Sequence, residues 1–211
     1  MVIDLLKTVN APSDLKKLSI DELYNYSIQL SSFIDETVSS IGGHYSSPLG
    51  VVDLSIALHY IYNSPKDKLV WDVGHQAYAH KIITGRRDRF DTLRKKEGIS
   101  GFLKRNESVH DIFGAGHAST SISAALGIAH ARDLKKENFQ VLSIIGDGSM
   151  TGGLAYEGVN NLGYHKTQLT VVLNDNSMSI SKSVGALSRY LTKIITNPTY
   201  NKIRNDIWDI S

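Results

Sequence analysis

Asp147 stands between Gly146 and Gly148 at the end of an apolar run, Val141-Leu142-Ser143-Ile144-Ile145. A second apolar run, Leu169-Thr170-Val171-Val172-Leu173, ends in Asn174-Asp175-Asn176, so Asp147 and Asn176 lie 29 positions apart with a helix-like segment between them. Strand, helix and strand in that order offer oxygen ligands at the carboxyl ends of both strands. Glycine on either side of Asp147 lets backbone N–H groups come close to an anion, and the following helix presents its positive end. Magnesium takes a near-octahedral oxygen shell that it commonly shares with phosphate groups. Asp147 can give a carboxylate oxygen, Asn176 an amide oxygen and Met178 a backbone carbonyl; two diphosphate oxygens and a water complete the shell. The chemistry this suggests is a magnesium ion holding a diphosphate. A lone Gly-Asp-Gly is usually an ordinary turn, but its pairing with Asn-Asp-Asn, each after an apolar strand, favours a site.

Eight histidines are present. His59 and His130 fall inside helical patterns and read as structural or surface groups, while His110 and His165 read as loop residues. His44, His75 and His117 differ, because each sits beside glycine or in a loop where a sheet edge or helix begins. An imidazole near neutrality can pass a proton or hydrogen-bond a developing oxyanion. As a set converging on one edge, these three are the candidate catalytic residues. Zinc is a poorer reading, since no His-x-x-x-His pair has a carboxylate or thiolate partner.

The elements that must position these groups follow from periodicity. Residues 1–18 read as an N-terminal arm, and residues 19–211 as one domain. Ser19-Ile20-Asp21-Glu22 is a capping box, and Leu23, Tyr26, Leu30, Phe33 or Ile34, and Val38 then recur at helical spacing, predicting about five turns before Gly42-Gly43. A mostly apolar helix is expected over residues 51–62. Leu69-Val70-Trp71-Asp72-Val73 reads as a buried strand delivering Gly74-His75-Gln76. Helical patterns cover residues 76–84 and 88–96, and residues 98–111 form an excursion poor in core residues. Residues 112–117 read as another short extended run, followed by a buried helix over residues 119–136. Strands that are continuously apolar and alternate with helices imply an α/β fold, a mostly parallel sheet with helices on both faces. Four polar turns, at residues 74–76, 114–117, 146–148 and 174–176, should then line one edge of the sheet. The tail ends on Trp208 and Ile210 without a stop signal, so the chain reads as cut at its C-terminus.

Composition bounds the rest. The apolar share of 41% and charged share of 21% are those of an ordinary globular protein. Lys+Arg 23 against Asp+Glu 21 gives +2, which argues for neither nucleic acid nor a membrane surface. No cysteine is present, removing disulfides, thiolate metal sites and a cysteine nucleophile. No run approaches the ~18 apolar residues of a membrane span. A soluble, cytoplasmic protein is expected.

With these residues assembled, the chain resembles the N-terminal domain of the 1-deoxy-D-xylulose-5-phosphate synthases, thiamine-diphosphate enzymes of the transketolase superfamily. The paired Gly-Asp-Gly and Asn-Asp-Asn turns are similar to the superfamily's cofactor motif. The narrower likeness rests on His44-Tyr45-Ser46-Ser47-Pro48-Leu49-Gly50, Trp71-Asp72-Val73-Gly74-His75-Gln76-Ala77-Tyr78, Lys81-Ile82-Ile83-Thr84-Gly85-Arg86-Arg87 and Gly116-His117-Ala118-Ser119-Thr120-Ser121-Ile122-Ser123, continued by Asn176-Ser177-Met178-Ser179-Ile180-Ser181. A transketolase proper is expected to carry Gly-His-Pro-Gly near position 43 and a Gly-Pro-Leu-Gly-like turn near 116; neither is here.

The resemblance implies a thiamine-diphosphate-binding fold, with Asp147 and Asn176 as magnesium ligands. Gly148 and Ser149 would touch the diphosphate, and Gly116, His117 and Ala118 would lie along the cofactor. His75 would contact thiamine diphosphate, and His44 would face the substrate. The implied reaction joins pyruvate and D-glyceraldehyde 3-phosphate with loss of carbon dioxide, in an enzyme that is a homodimer. Family members are about three times this length. The pyrimidine-binding domain, with its activating glutamate, and the C-terminal domain are missing from the sequence, so the isolated chain is expected to be inactive without them or a partner subunit. Two other readings compete: another transketolase-like enzyme half, and a non-catalytic scaffold on the same fold.

Overall fold

The computed structural model describes residues 4–175 and, beyond them, residues 193, 197–199 and 202. The chain falls into two compact units, residues 1–176 and 177–211. In the second, the Thr199 amide donates to Asn197 Oδ1 at 2.8 Å.

Three parallel strands, β1 (Lys68–Trp71), β2 (Val141–Gly146) and β3 (Thr170–Asn174), form a sheet in that order. Trp71 pairs with Ile144, and Gly146 with Asn174. Side chains alternate across a strand, yet both faces here are apolar. Leu69, Trp71, Leu142 and Ile144 pack on one side with Val51, Leu58 and Leu103. Val70 and Val141 pack on the other with Ala125 and Ala129. The single-turn α4 (Ser46–Leu49) precedes α5 (Val52–Ile61), which covers the first side, and α7 (Ser121–Lys135) covers the second. This double covering is why the strands read as unbroken apolar runs.

The expected capping box is formed: Ser19 Oγ accepts from the Glu22 amide at 3.3 Å, and Glu22 Oε2 accepts from the Ser19 amide at 2.8 Å. It starts α3 (Ile20–Ile41), whose Tyr26, Leu30, Ile34 and Val38 make one buried stripe at four-residue spacing. The lead-in joins the same core. Its two single-turn helices, α1 (Leu5–Thr8) and α2 (Pro12–Leu15), bury Leu5 and Leu15 there, and Val9 just after α1 joins them.

Three local expectations differ from the structure. Residues 112–117 form no strand: Gly114 and Gly116 weaken extended pairing, and the Ala115 amide donates instead to the Leu103 carbonyl at 3.2 Å. The helical pattern over residues 76–96 resolves into α6 (Tyr78–Lys81), a wide turn at Ile82–Arg86 and a 3-10 segment at Arg87–Thr92, broken where Gly85 takes φ +89°. His165 is the last residue of α8 (Gly153–His165) rather than a loop residue.

Candidate active site

Two of the three singled-out histidines meet. His44 follows the end of α3, and its backbone N–H donates to Tyr78 Oη at 3.2 Å while Nδ1 lies 3.2 Å from the same oxygen. Its ring stands edge-on to His75 at 5.4 Å and to Phe102 at 5.4 Å between centroids. Burial lowers the His44 pKa below the ordinary value, and the Arg94 charge adds to this. Burial also lowers that of His75; positive charge on His44 acts the same way and Asp72 opposes it. Both rings are thus neutral near pH 7, each offering one donor and one acceptor nitrogen. Among the described residues His75 Nδ1 is buried without a protein partner, as is Gln76 Oε1 beside it. His117, by contrast, is exposed and shares no ring contact with the pair among the described residues.

His75 is delivered by a strained turn. The Gly74 amide donates to the Asp72 carbonyl at 2.5 Å, closing a three-residue turn around Val73, which is β-branched yet has φ +56°. Left-handed φ is costly for such a residue and persists only where surrounding contacts demand it.

Asp147 lies at the carboxyl end of β2, half-buried, and its amide donates to the Asn174 carbonyl at 3.1 Å. The acidic turn and the end of β3 are therefore side by side. A short 3-10 turn (Ser149–Thr151) leads into α8, whose first residue has no side-chain cap before it. At Gly114, Gly116 and Gly148 a Cβ would meet no atom of the described residues within 4 Å, so among these residues the turns border open space. Asn176 and Met178 lie outside the described residues. Among the described residues no cluster of three or more His, Cys, Asp or Glu could hold a metal. One carboxylate with amide, carbonyl and phosphate oxygens does not need such a cluster, and it suits magnesium rather than zinc.

A family model described as 1-deoxy-D-xylulose-5-phosphate synthase matches residues 6–211. The chain belongs to that family. Synthases of that name are 59% identical in Caldanaerobacter subterraneus subsp. tengcongensis, over 96% of this chain and 33% of the relative. In Halothermothrix orenii identity is 55%, over 97% and 32%. In Clostridium acetobutylicum it is 52%, over 97% and 33%. The chain thus spans about a third of the length of the curated synthases it matches.

What the sequence left unread is a second polar centre, behind α6. Asp111 Oδ1 lies 3.2 Å from His80 Nε2, and Arg86 grips both Asp111 oxygens at 2.8 Å. Arg86 Nη1 also donates to Glu107 Oε1 at 2.8 Å, which pairs with Lys81 as well. His80 Nδ1 lies 2.9 Å from His59 Nε2. An anionic Asp111 accepts from His80 Nε2–H, so His80 Nδ1 must accept from His59. Burial pushes Asp111 up, but hydrogen bonds from His80 and Arg86 outweigh it and hold the carboxyl well below the usual range. Tyr78 and Phe102, which wall His44, were likewise missed. Helical or loop periodicity marks such residues as core, and no local signal says what they touch.

Proposed function

We propose that this chain is the magnesium- and diphosphate-binding part of a 1-deoxy-D-xylulose-5-phosphate synthase, which joins pyruvate and D-glyceraldehyde 3-phosphate with loss of carbon dioxide. The supporting observation is the hydrogen bond from Asp147 to the Asn174 carbonyl, which sets the acidic turn against the end of β3. Thiamine diphosphate, when bound, supplies the electron sink for cleaving the bond to the carboxylate. The open turns at Gly116 and Gly148 can admit it, and the unpartnered His75 Nδ1 and Gln76 Oε1 can take part in its hydrogen bonding.

Asp147 is the described member of the proposed magnesium ligands; Asn176 and Met178 are the others. Gly148 and Ser149 would bear on the diphosphate, with Gly116, His117 and Ala118 along the cofactor. His75 holds the cofactor, while His44 faces substrate and moves a proton at Nε2, its Nδ1 engaged by Tyr78. His117 is the third proton-handling group. On this reading the assembled enzyme is a cytoplasmic homodimer that uses further domains. No helix among the described residues is long and apolar enough to cross a membrane.

Calorimetric titration of thiamine diphosphate, with and without magnesium and with the remaining domains present, tests the proposal. Magnesium-dependent binding is expected, and Asp147→Ala should weaken it by at least about a hundredfold. Binding indifferent to magnesium would remove the site.

A further inference from the structure

Asp72 follows β1 directly and is only 1% exposed, although a buried carboxylate is costly unless answered. The proposed chemistry does not use it. Its backbone N–H donates to the Ile144 carbonyl at 2.8 Å, continuing the sheet. Among the described residues its carboxylate is answered by backbone alone: Oδ1 accepts from the Ser119 amide at 2.8 Å and Oδ2 from the Ser121 amide at 3.0 Å. These amides open α7, whose N-cap Thr120 makes no side-chain cap of its own. Asp72 therefore caps α7 from 47 positions away, a negative charge at the helix's positive end.

The contact continues to the next turn. Ser119 has φ +70°, a left-handed conformation unfavourable for serine. In that conformation its Oγ donates to the Ser149 carbonyl at 2.7 Å, two residues beyond Asp147. The approach is close enough that a Cβ on Gly152 would lie 2.1 Å from Ser119 Oγ. One chain of hydrogen bonds, Asp72 to Ser119 to Ser149, thus joins the end of β1, the turn bearing residues 116–118 and the turn bearing Asp147.

We propose that Asp72 and Ser119 are positioning residues that set the separation of the 116–118 wall from the 146–149 turn, and so fix the width of the diphosphate site. This rests on the function proposed above. Were Ser119 present for packing alone, a residue free of left-handed strain would serve at least as well.

Ser119→Gly keeps the backbone conformation, relieves the strain and deletes the hydroxyl; Asp72→Asn removes one of the two acceptors. Both are measured in the full polypeptide by amide hydrogen exchange without ligand, thermal unfolding and magnesium-dependent titration of thiamine diphosphate. In Ser119→Gly the melting temperature should stay within about 2 °C, because relief of strain offsets the lost bond. Exchange at the Thr151 and Gly152 amides should quicken, and affinity should fall about five- to tenfold. Asp72→Asn should quicken exchange at Ser119 and Ser121 as well. Unchanged exchange at Thr151 and Gly152 in both variants overturns the brace, whatever the ligand does. Faster exchange with unaltered affinity overturns the positioning role. Faster exchange in a protein whose parent binds no thiamine diphosphate upholds the brace and removes the function instead.

Discussion

The centre around Asp111 and the strand-end turns around Asp147 are both polar, yet they are built in opposite ways. At Asp111, which is 2% exposed, both carboxylate oxygens are gripped by Arg86, and His80, Glu107 and Lys81 complete a closed set. Along the strand ends the turns open outward, the backbone is strained at Val73 and Ser119, and His75 and Gln76 keep buried atoms without partners. The first arrangement holds the 98–111 excursion to α6, and its charged groups answer one another, although His59 Nδ1 at its edge is buried without a partner among the described residues. The second has unsatisfied groups and space, which is what binding needs.

The largest effect should come from breaking the closed centre. Arg86→Met leaves Asp111 and Glu107 short of a cation in a buried place, and about 3–5 kcal/mol of stability should be lost, read from the midpoint and slope of urea unfolding. A loss under about 1 kcal/mol would mean that the two carboxylates are answered by water, and the contrast with the open edge would vanish.

Acid should act on the same centre next. Burial pushes His80 down to about 4, against the opposing hydrogen bond to Asp111, and takes His59 down as well. The unfolded chain takes up these protons near the ordinary value of about 6.5, while the folded one refuses them until far lower. Stability is then complete above about pH 6.5 and falls as pH drops toward 4, by at most about 3 kcal/mol for His80. Asp111, held low, does not titrate in that window. Unfolding curves across the window check this, and His80→Gln should flatten the slope.

Tyr78 shares α6 with His80 and Lys81, while its hydroxyl holds His44. Tyr78→Phe should cost about 1 kcal/mol in thermal unfolding. It should also free the His44 ring, visible as a changed imidazole resonance. An unaltered resonance would show that packing against His75 and Phe102 suffices to hold it.

The smallest stability effect belongs to the open edge. Gly148 has φ −60° and ψ −41°, which alanine adopts readily, and a methyl there meets no atom of the described residues. Gly148→Ala should leave stability unchanged or raise it by about 0.4–1 kcal/mol. Magnesium-dependent binding of thiamine diphosphate should nonetheless weaken about tenfold, because the methyl would stand where backbone must approach the anion. Undiminished affinity would move the diphosphate elsewhere along the edge.

The elements were legible wherever the cause is local. The Ser19–Glu22 box, the four-residue stripe of α3 and the three strands each rest on a repeat or a run within one segment. The 112–117 segment was misjudged because two apolar residues before a glycine pair resemble a strand, and only the pairing with Leu103 reveals otherwise. Asp147 was legible because a carboxylate between glycines after a strand has little use in packing. Asp111 was not, since nothing near it in sequence shows that Arg86, 25 positions earlier, neutralises it.

The sequence by itself determined the start of α3, the three strands and the acidic turn, because backbone propensity, side-chain periodicity and turn chemistry act over a few residues. Only the tertiary structure decided which histidines meet, which carboxylates are answered and which turns are braced. His44 touches His75 and His117 does not; Asp72 caps a helix 47 positions away; His80 reaches Asp111 across 31. Those outcomes depend on desolvation and on hydrogen-bond geometry between distant segments, and no residue type carries that information until the chain has folded.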